Sequence, residues 1–403
     1  ELLHESGSVF VQISDENLHH VRELMDEIFG SKNYISQISF VKTSSSTKDF
    51  ISPTVDFLLW YGKEKAVTKY HALMLEKVPG EKGGSGYTRF RLPNGDTRPL
   101  SEADIGNSGI YCRDNLTSQS VGREKGEGAA CWFPITIAGR EYLPSMQARW
   151  KTNELGIQRL QRSNRLEAAG SGVGYVRFLD DFPAFPLGDY WSDVMPSFMA
   201  DKNYVVQTAI RVIERCVLMT TDPGDLVLDP TCGSGSTAFV AEKWGRRWIT
   251  CDTSRVSVTL AKQRLMTASY DYYELKYPQE GLKSGFIYKT VPHIMLSSIA
   301  SNPEIDEIYE RMQPVVEATL AELNKAAKQK LKEWEVPFDF PADWPEAAGK
   351  AFDTFHAARQ AVQKKMDDSI AAHADQETLY DQPAVSKNKL RITGPFTVEA
   401  VPF

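Results

Sequence analysis

The sequence predicts an α/β fold in which a strand, a glycine turn and a helix follow one another beside a second strand. A short apolar run at 226–228 is followed by a turn that contains Gly233 and Gly235, and then by a predicted helix. A second apolar run at 248–251 is closed by the acidic residue Asp252. A buried strand, a glycine turn, a helix N-terminus and a second carboxylate in this order are typical of α/β folds that bind nucleotide-like ligands.

The turn carries most of the candidate ligand-binding residues, which are Asp229, Pro230, Thr231, Cys232, Gly233, Ser234 and Gly235. The two glycines lack a Cβ and are expected to let the backbone approach a ligand closely. Asp229 precedes them, where its carboxylate can face a cationic group. Asp252 lies at a distance that suits a carboxylate accepting hydrogen bonds from ribose hydroxyls. For Cys232 we favour a packing role over a nucleophilic one, because no histidine is near it in sequence.

Two cofactors compete for this turn. Residues 233–238 also fit the loose dinucleotide pattern G-x-G-x-x-A. The carboxylate of Asp229 would lie unfavourably beside a pyrophosphate, but favourably beside the ammonium of a methionine moiety. The sequence therefore favours S-adenosylmethionine (AdoMet) over a nicotinamide dinucleotide. The remaining alternative is a glycine turn that only connects a strand to a helix.

Composition places the chain among ordinary globular proteins. It has 403 residues, of which 42% are hydrophobic and 25% charged, enough for two or three structural units. No apolar run is long enough to cross a bilayer, and residues 1–7 do not resemble a signal peptide, so we expect a cytoplasmic protein without membrane contact. The five cysteines lack Cys-x-x-Cys spacing, which predicts neither disulfides nor a zinc site, and no other metal-ligand cluster is visible.

Elements around the turn are predicted from periodicity. Residues 8–14 alternate as a strand, and Asp15 is expected to cap a helix that ends before Gly30. Strands are predicted near 34–42 and 55–62. Helices are predicted over 204–221 and 255–266. Further on, 304–334 is predicted as one long helix or two, interrupted near Pro314, and another helix is predicted over 347–372. For the last two, packing is favoured over a role in clamping the core, in DNA binding or in a subunit contact.

Several ordered motifs closely resemble the AdoMet-dependent DNA amino-methyltransferases, which modify adenine N6 or cytosine N4. They are Tyr204-Val205-Val206-Gln207-Thr208, the run 220–230 (TTDPGDLVLDP) and the run 244–250 (WGRRWIT). The segments 7–16 and 25–30 are similar to the part that follows the catalytic motif in this family, and 55–63 is similar to a further family strand. Because the cofactor turn comes after these segments, the order resembles that of the permuted β class.

The resemblance implies an AdoMet-dependent methyltransferase (Rossmann-like) fold with permuted motif order, an inserted target-recognition domain and a helical C-terminal extension. The implied boundaries are 1–65 for the N-terminal part of the methyltransferase core, 66–190 for the target-recognition domain, 191–290 for the AdoMet-binding part of the core and 291–403 for the mainly helical extension. Gln207 and Thr208 occupy positions that line the methionine end of AdoMet in the family. The implied partners are double-stranded DNA and a restriction or specificity subunit.

One family motif is missing from the sequence. The Asp-Pro-Pro-Tyr type tetrapeptide that carries catalysis in the family does not occur in this chain, so no catalytic residue is predicted. Both ends look cut, and we expect a fragment that cannot methylate DNA by itself, in which an exposed strand edge remains beside the cofactor strand. The alternatives are a non-catalytic DNA-binding or subunit-interaction module, and an AdoMet enzyme that acts on RNA or protein.

For the expected DNA substrate, adenine N6 is favoured over cytosine N4 as the target amine. The net charge of −7 requires any DNA contact to be made by a local basic face. Arg159, Arg162 and Arg165 recur every three residues, so on one helix they form either a row that tracks phosphates or a solvated face. The hydroxyl-rich tract 43–48 is either a loop near the target base or a solvated linker.

Overall fold

The structure, a computed structural model, describes residues 2–43, 50–195 and 208–399. The chain divides into two compact units. The first comprises Glu1–Leu75, Pro186–Lys289 and Thr378–Phe403, and the second comprises Glu76–Phe185 and Thr290–Glu377.

The described residues form eight α-helices and 21 strands. The helices are α1 (Leu18–Phe29), α2 (Glu154–Arg162), α3 (Ile210–Thr220), α4 (Ser236–Lys243), α5 (Arg255–Thr267), α6 (Leu296–Ser301), α7 (Glu304–Ala327) and α8 (Gly349–Ala372). The strands are β1 (Ser8–Ile13), β2 (Tyr34–Val41), β3 (Val55–Gly62), β4 (Met74–Glu76), β5 (Arg89–Arg91), β6 (Thr97–Pro99), β7 (Ile110–Asn115), β8 (Thr117–Ser118), β9 (Ile135–Ile137), β10 (Arg140–Tyr142), β11 (Arg149–Trp150), β12 (Leu166–Ala169), β13 (Gly172–Phe178), β14 (Ala184–Pro186), β15 (Tyr190–Trp191), β16 (Leu226–Asp229), β17 (Arg247–Thr250), β18 (Ser269–Tyr273), β19 (Tyr288–His293), β20 (Asp375–Pro383) and β21 (Val385–Ile392).

The first unit contains a four-stranded sheet in the order β1-β3-β2-β15. Strand β3 is central and packs apolar residues on both faces. Leu59 packs against helix α1, and Leu58 belongs to the main core of this unit, the apolar cluster to which helices α3 and α4 also contribute. The predicted strands β1, β2 and β3 are therefore confirmed. The predicted cap at Asp15 is wrong, because Asp15 begins a short 3-10 turn and α1 starts only at Leu18, without a capping side-chain hydrogen bond.

The first unit also contains the predicted parallel strand pair β16–β17 with helices α3, α4 and α5. Val217 of α3 and Val240 of α4 contribute to the main core of this unit. The alternate side chains of the strand pair remain about half exposed: Leu226 is 51%, Leu228 46% and Ile249 51% exposed. Parallel strands are usually covered on both faces, so this apolar face is unusual for its strand type.

The second unit combines a five-stranded antiparallel sheet, in the order β12-β13-β7-β5-β6, with the helices α2, α6, α7 and α8. Trp150 and Leu160 share one core with Ile305 of α7 and Phe355 of α8. The C-terminal helices therefore pack with residues 76–185 in one unit.

Two details of helix α7 differ from the sequence expectation. Helix α7 runs unbroken through Pro314, because buried Ile308 and Val316 anchor it on both sides and packing overrides propensity. It ends at Ala327, where Lys328 adopts a left-handed φ of 54°. As predicted, the last helix α8 ends at Ala372; β20 and β21 follow it, and β21 pairs with β18. Among the described residues, no helix is both long and apolar enough to cross a membrane.

Candidate functional site

The candidate site lies where the parallel strands β16 and β17 end side by side. Their register pairs Asp229 with Thr250, so both carboxyl ends reach the same edge. The hydrogen bonding continues past the strands, because the Cys251 amide donates to the Asp229 carbonyl at 2.9 Å and the Cys232 amide donates to the Cys251 carbonyl at 2.8 Å. This pairing brings the glycine turn after β16 next to Asp252 after β17.

Asp252 holds the turn and the following helix together. Its Oδ2 accepts a hydrogen bond from the Gly233 amide at 2.9 Å, and its Oδ1 accepts one from the Ser254 amide at 2.8 Å. Hydrogen bonds from Ser254 and Gly233 stabilise the ionised form and lower the pKa of the Asp252 carboxyl. The Ser257 side chain and the Thr253 backbone also lower this pKa, and the Asp252 side chain stays partly exposed at the strand edge, where a ligand hydroxyl can reach it.

Asp229 shapes the beginning of the turn. Its Oδ1 accepts hydrogen bonds from the Thr231 amide at 2.9 Å and from the Thr231 hydroxyl at 3.1 Å, the geometry of an Asx turn. Within the described ranges, neither Asp229 nor Asp252 forms an ion pair with a lysine, arginine or histidine. Two uncompensated carboxylates at one strand edge favour a cationic ligand group and disfavour a pyrophosphate.

The two glycines of the turn have different surroundings. Gly233 has a φ of 52°, and a Cβ built there would meet only the Thr231 carbonyl oxygen, at 3.8 Å. Gly235 has a φ of 72°, and a Cβ there would lie 2.7 Å from the Cβ of Ala261 in α5. The two glycines therefore differ, because Gly233 has only one loose neighbour whereas Gly235 allows close packing of helices α4 and α5, and the approach of a ligand to both stays a prediction.

The other residues of the turn divide into exposed and buried ones. Pro230 and Thr231 are exposed, whereas Cys232 and Ser234 are buried. Cys232 is only 4% exposed, and burial raises the pKa of its thiol. A buried, protonated thiol supports the packing role predicted for Cys232, because the thiolate is the nucleophilic form.

The second group of predicted ligand residues is only partly described. Gln207 and the tract 44–49 lie outside the described residues. The Thr208 hydroxyl donates a hydrogen bond to Oε1 of Gln12 in β1, at 2.5 Å. The structure thus joins Thr208 to strand β1, and no described hydrogen bond joins it to the glycine turn.

Sequence reasoning missed two residues beside the turn. The Thr250 hydroxyl is buried at the end of β17 and has no hydrogen-bond partner of normal geometry among the described residues. The guanidinium of Arg264 in α5 donates to Oγ of Ser236 at 3.0 Å and lies 4.5 Å from the ring centroid of Phe239. Thr250 directly precedes Cys251 and Asp252, so its position in the sequence could have indicated that it lies beside the turn. The position of Arg264 in the sequence gives no such indication.

A charged cluster fixes the segment before β16. Lys69 forms ion pairs with Asp222 at 2.7 Å and with Asp225 at 2.5 Å, and Nε2 of His71 lies 2.8 Å from Oδ1 of Asp222. Hydrogen bonds from His71 and Lys69 hold the pKa of the Asp222 carboxyl below its usual range. The loop at 69–71 is thereby tied to the turn that leads into β16.

The arginine row of the second unit does not form one free face. Helix α2 ends at Arg162, so Arg165 lies beyond it. Arg159 and Arg162 both pair with Asp306 of α7, at 2.8 and 2.5 Å. Arg165 pairs with Asp181 at 2.6 Å, and both side chains are almost completely buried. The charges therefore bind elements of the second unit to one another, and this corrects both the phosphate-tracking and the solvated-face interpretation.

Comparison with known proteins identifies the family. The sequence model of the N6/N4 DNA methylase family matches residues 1–263. The chain belongs to this family. The Type II methyltransferase M.EcaI of Enterobacter cloacae is 25% identical over 270 residues, which cover 66% of this chain and 54% of that protein. The Mod subunit of the Type III restriction-modification enzyme StyLTI of Salmonella typhimurium is 23% identical over 287 residues, covering 65% and 40%.

The match to these relatives is partial. The chain spans about half the length of the curated relatives it matches. Among solved structures, the M1.HpyAVI–SAM complex is similar at 13% identity and a TM-score of 0.30, with 66% of this chain and 76% of that chain covered. Among the described residues, no group of three or more His, Cys, Asp or Glu side chains could hold a metal ion.

Proposed function

We propose that this chain is the cofactor-binding and DNA-recognising part of a site-specific methyltransferase. The enzyme would transfer a methyl group from AdoMet to an exocyclic base amine of double-stranded DNA, adenine N6 in preference to cytosine N4. The observation that carries the proposal is the hydrogen bond between the Gly233 amide and Asp252, which joins the glycine turn to the second carboxylate in a chain of the DNA methylase family.

The residues at this edge fit AdoMet in their chemistry. The partly exposed carboxylate of Asp252 suits the ribose hydroxyls as a hydrogen-bond acceptor, and the carboxylate of Asp229 suits the methionine ammonium. Gly233 has no side chain that would keep a ligand away from its backbone. These features support the cofactor-binding assignment of the turn, and the roles of Gln207 and Thr208 stay predictions.

AdoMet supplies a methyl group that its sulfonium makes easy to transfer. The residues of this chain bind and orient the cofactor, whereas a second set must hold the target amine in line with the methyl group. Positioning of this kind is worth about 7–11 kcal/mol in favourable intramolecular reactions. Because the sequence has no Asp-Pro-Pro-Tyr type tetrapeptide, we propose that the 403-residue chain alone does not methylate DNA.

The cofactor assignment is tested by calorimetry. The purified chain is titrated with AdoMet, with its demethylated product and with NAD. We expect binding of the first two and not of NAD. Binding of NAD without binding of AdoMet or its product would indicate that the turn binds a dinucleotide instead.

The catalytic assignment needs a separate assay. The chain is incubated with methyl-labelled AdoMet and mixed-sequence duplex DNA, and we expect incorporation at background level. Robust incorporation would show that unrecognised residues of this chain position the amine. Nucleoside mass spectrometry of DNA from cells with and without the gene separates N6-methyladenine from N4-methylcytosine as the product of the whole enzyme.

The second candidate is a non-catalytic DNA-binding or subunit-interaction module of a modification system, favoured by the absent tetrapeptide. A restriction or specificity partner is proposed in either case, because one relative is a subunit of a restriction-modification enzyme. Co-purification from the native cell tests for this partner. Binding of AdoMet by the purified chain would argue for the enzyme, whereas binding of DNA or of a partner subunit without binding of AdoMet would argue for the module. The cytoplasmic location stays a prediction.

A further inference from the structure

The second unit has an open groove of about 430 Å³ on its strand-rich part. One wall is the end of β7 with Arg113 and Asn115, and the other is the loop that contains Ser145. The turn at Ser171 closes one side, and Trp150 contributes to the lining. The groove is therefore lined by hydroxyls, an amide, a guanidinium and the carboxylate of Asp114, with apolar groups between them.

Arg113 is held in a fixed position along this groove. Its Nε donates to the Glu167 carbonyl at 3.2 Å, and its Nη2 donates to the Gly172 carbonyl at 2.9 Å. The side chain crosses Gly174, where a Cβ would come within 2.3 Å of Cγ of Arg113. The absence of a side chain at position 174 thus allows the guanidinium to lie against the sheet.

The charge of Arg113 is not neutralised by any described acidic side chain. Among the described residues of this unit, Arg91, Arg113, Arg123, Arg140, Arg149 and Arg311 have no acidic partner, and Arg113 is the one of these six that lines the groove. The pair with Arg177 engages Asp114, the acidic residue of the groove, at 2.9 Å. The groove consequently carries a local positive charge in a chain whose net charge is −7.

The donor geometry selects the ligand. With Nε and one hydrogen of Nη2 engaged, Arg113 retains adjacent donors on Nη1 and Nη2, which suit two oxygens of one phosphate. The amide that reads adenine in other proteins is unavailable here, because Oδ1 of Asn115 accepts hydrogen bonds from the Thr117 amide and hydroxyl. The hydroxyls of Ser145 and Ser171 add donors typical of backbone contacts.

We infer that this groove binds the phosphodiester backbone of duplex DNA, with Arg113 as the residue that holds a phosphate. The inference rests on the proposed function and adds to it a defined contact surface in the second unit. Phosphate contacts position a protein on DNA without reading sequence, so the contact should act equally on any duplex.

The test measures binding of fluorescent duplexes of two unrelated sequences by anisotropy over a series of salt concentrations. Arg113→Gln removes the charge, Arg113→Lys keeps the charge but loses the paired donors, and Gly174→Ala displaces the side chain without changing the charge. The matched control is Arg311→Gln, which removes an exposed charge from α7 in the same unit. Thermal unfolding of each variant checks its fold.

We expect Arg113→Gln to weaken binding about 10- to 100-fold on both duplexes, the range for a hydrogen-bonded charged contact. The slope of log K against log salt should fall by about 0.9, because one phosphate contact is lost. Arg113→Lys should keep the slope while binding more weakly, and Gly174→Ala should weaken binding with its fold retained. Arg311→Gln should bind like the unchanged chain.

Three results would overturn the inference. The first is an unchanged affinity and slope for Arg113→Gln, and the second is an equal loss for Arg311→Gln, which would indicate diffuse electrostatics. The third is a loss on one sequence only, which would indicate base reading. Calorimetry with AdoMet on the same protein distinguishes this inference from the proposed function. If the chain binds AdoMet and DNA but its DNA affinity does not change in Arg113→Gln, only the assignment of the groove is refuted. If the chain binds neither AdoMet nor DNA, both the groove assignment and the proposed function are refuted.

Discussion

Replacing Asp252 by alanine tests the candidate cofactor site most directly. The substitution removes the acceptors of the Gly233 and Ser254 amides, and it removes the proposed partner of the ribose hydroxyls. The hydrogen bonds of Asp252 join the turn after β16 to the segment after β17, which is the edge where we propose that the cofactor binds. Its loss should therefore lower ligand affinity more than it lowers the free energy of unfolding.

The magnitude follows from the number and type of hydrogen bonds. A polar partner left unmatched in a binding site costs about 1–3 kcal/mol, which corresponds to about 5- to 150-fold in the dissociation constant. The two amides face the turn and are partly accessible to water, so the effect on the free energy of unfolding should be smaller, about 1 kcal/mol. Asp252→Asn should bind nearly as poorly, because its amide NH2 would face one of the two backbone donors.

The assay is calorimetry with AdoMet and with its demethylated product, together with urea unfolding of each variant. Both ligands contain the ribose, so both should lose affinity by the same factor. The matched control is Asp271→Ala, which removes an exposed carboxylate from β18 in the same unit. An affinity for Asp252→Ala equal to that of the control would refute the assignment of Asp252 to the cofactor.

Three further predictions concern stability and association. Because the pKa of Asp222 is lowered by its partners, its stabilisation is present above the unfolded value near 4 and is lost as the pH falls. Asp222→Asn should therefore cost about 0.5–1 kcal/mol at pH 7 and less at pH 3 in urea unfolding, whereas an equal cost at both would contradict this. Asp306→Asn removes the carboxylate that pairs with two mostly buried arginines and should cost about 2–3 kcal/mol, against near zero for Glu310→Gln on the same helix. Replacing both Leu226 and Leu228 by threonine should reduce self-association of the chain, measured by analytical ultracentrifugation, because it removes exposed apolar side chains. Unchanged self-association would show that this face does not mediate it.

The local elements were predictable where periodicity and turn chemistry agree. Strands β1, β2 and β3 and the sequence β16, α4, β17, α5 lie within a few residues of their predicted bounds, because each is a short apolar run next to a glycine or an acidic residue. The effect of Pro314 was predicted wrongly, since local propensity does not include the buried contacts that keep α7 straight.

The partners of charged side chains were not predictable from spacing. Arg159 and Arg162 pair with an aspartate 147 and 144 residues later in the chain. A three-residue repeat of arginines is compatible with a DNA-binding face, a solvated face or a structural contact, and only the folded chain decides among them. The same holds for Arg113, whose two carbonyl acceptors lie 54 and 59 residues away.

We propose that in the whole enzyme one further strand pairs with β16, and both burial and chemistry at this strand support the proposal. Within the described ranges β16 pairs only with β17, and the apolar face with Leu226, Leu228 and Ile249 is half exposed. A further strand added in parallel along the free edge of β16 would bring its carboxyl end to the edge that holds Asp229. A residue set at that end would lie where a target amine must meet the methyl group. We therefore expect a tetrapeptide-bearing segment, supplied in trans, to raise the melting temperature and methyl incorporation together. Activity gained without any gain in stability would mean that the segment acts elsewhere, because pairing with β16 necessarily adds backbone hydrogen bonds and covers apolar surface.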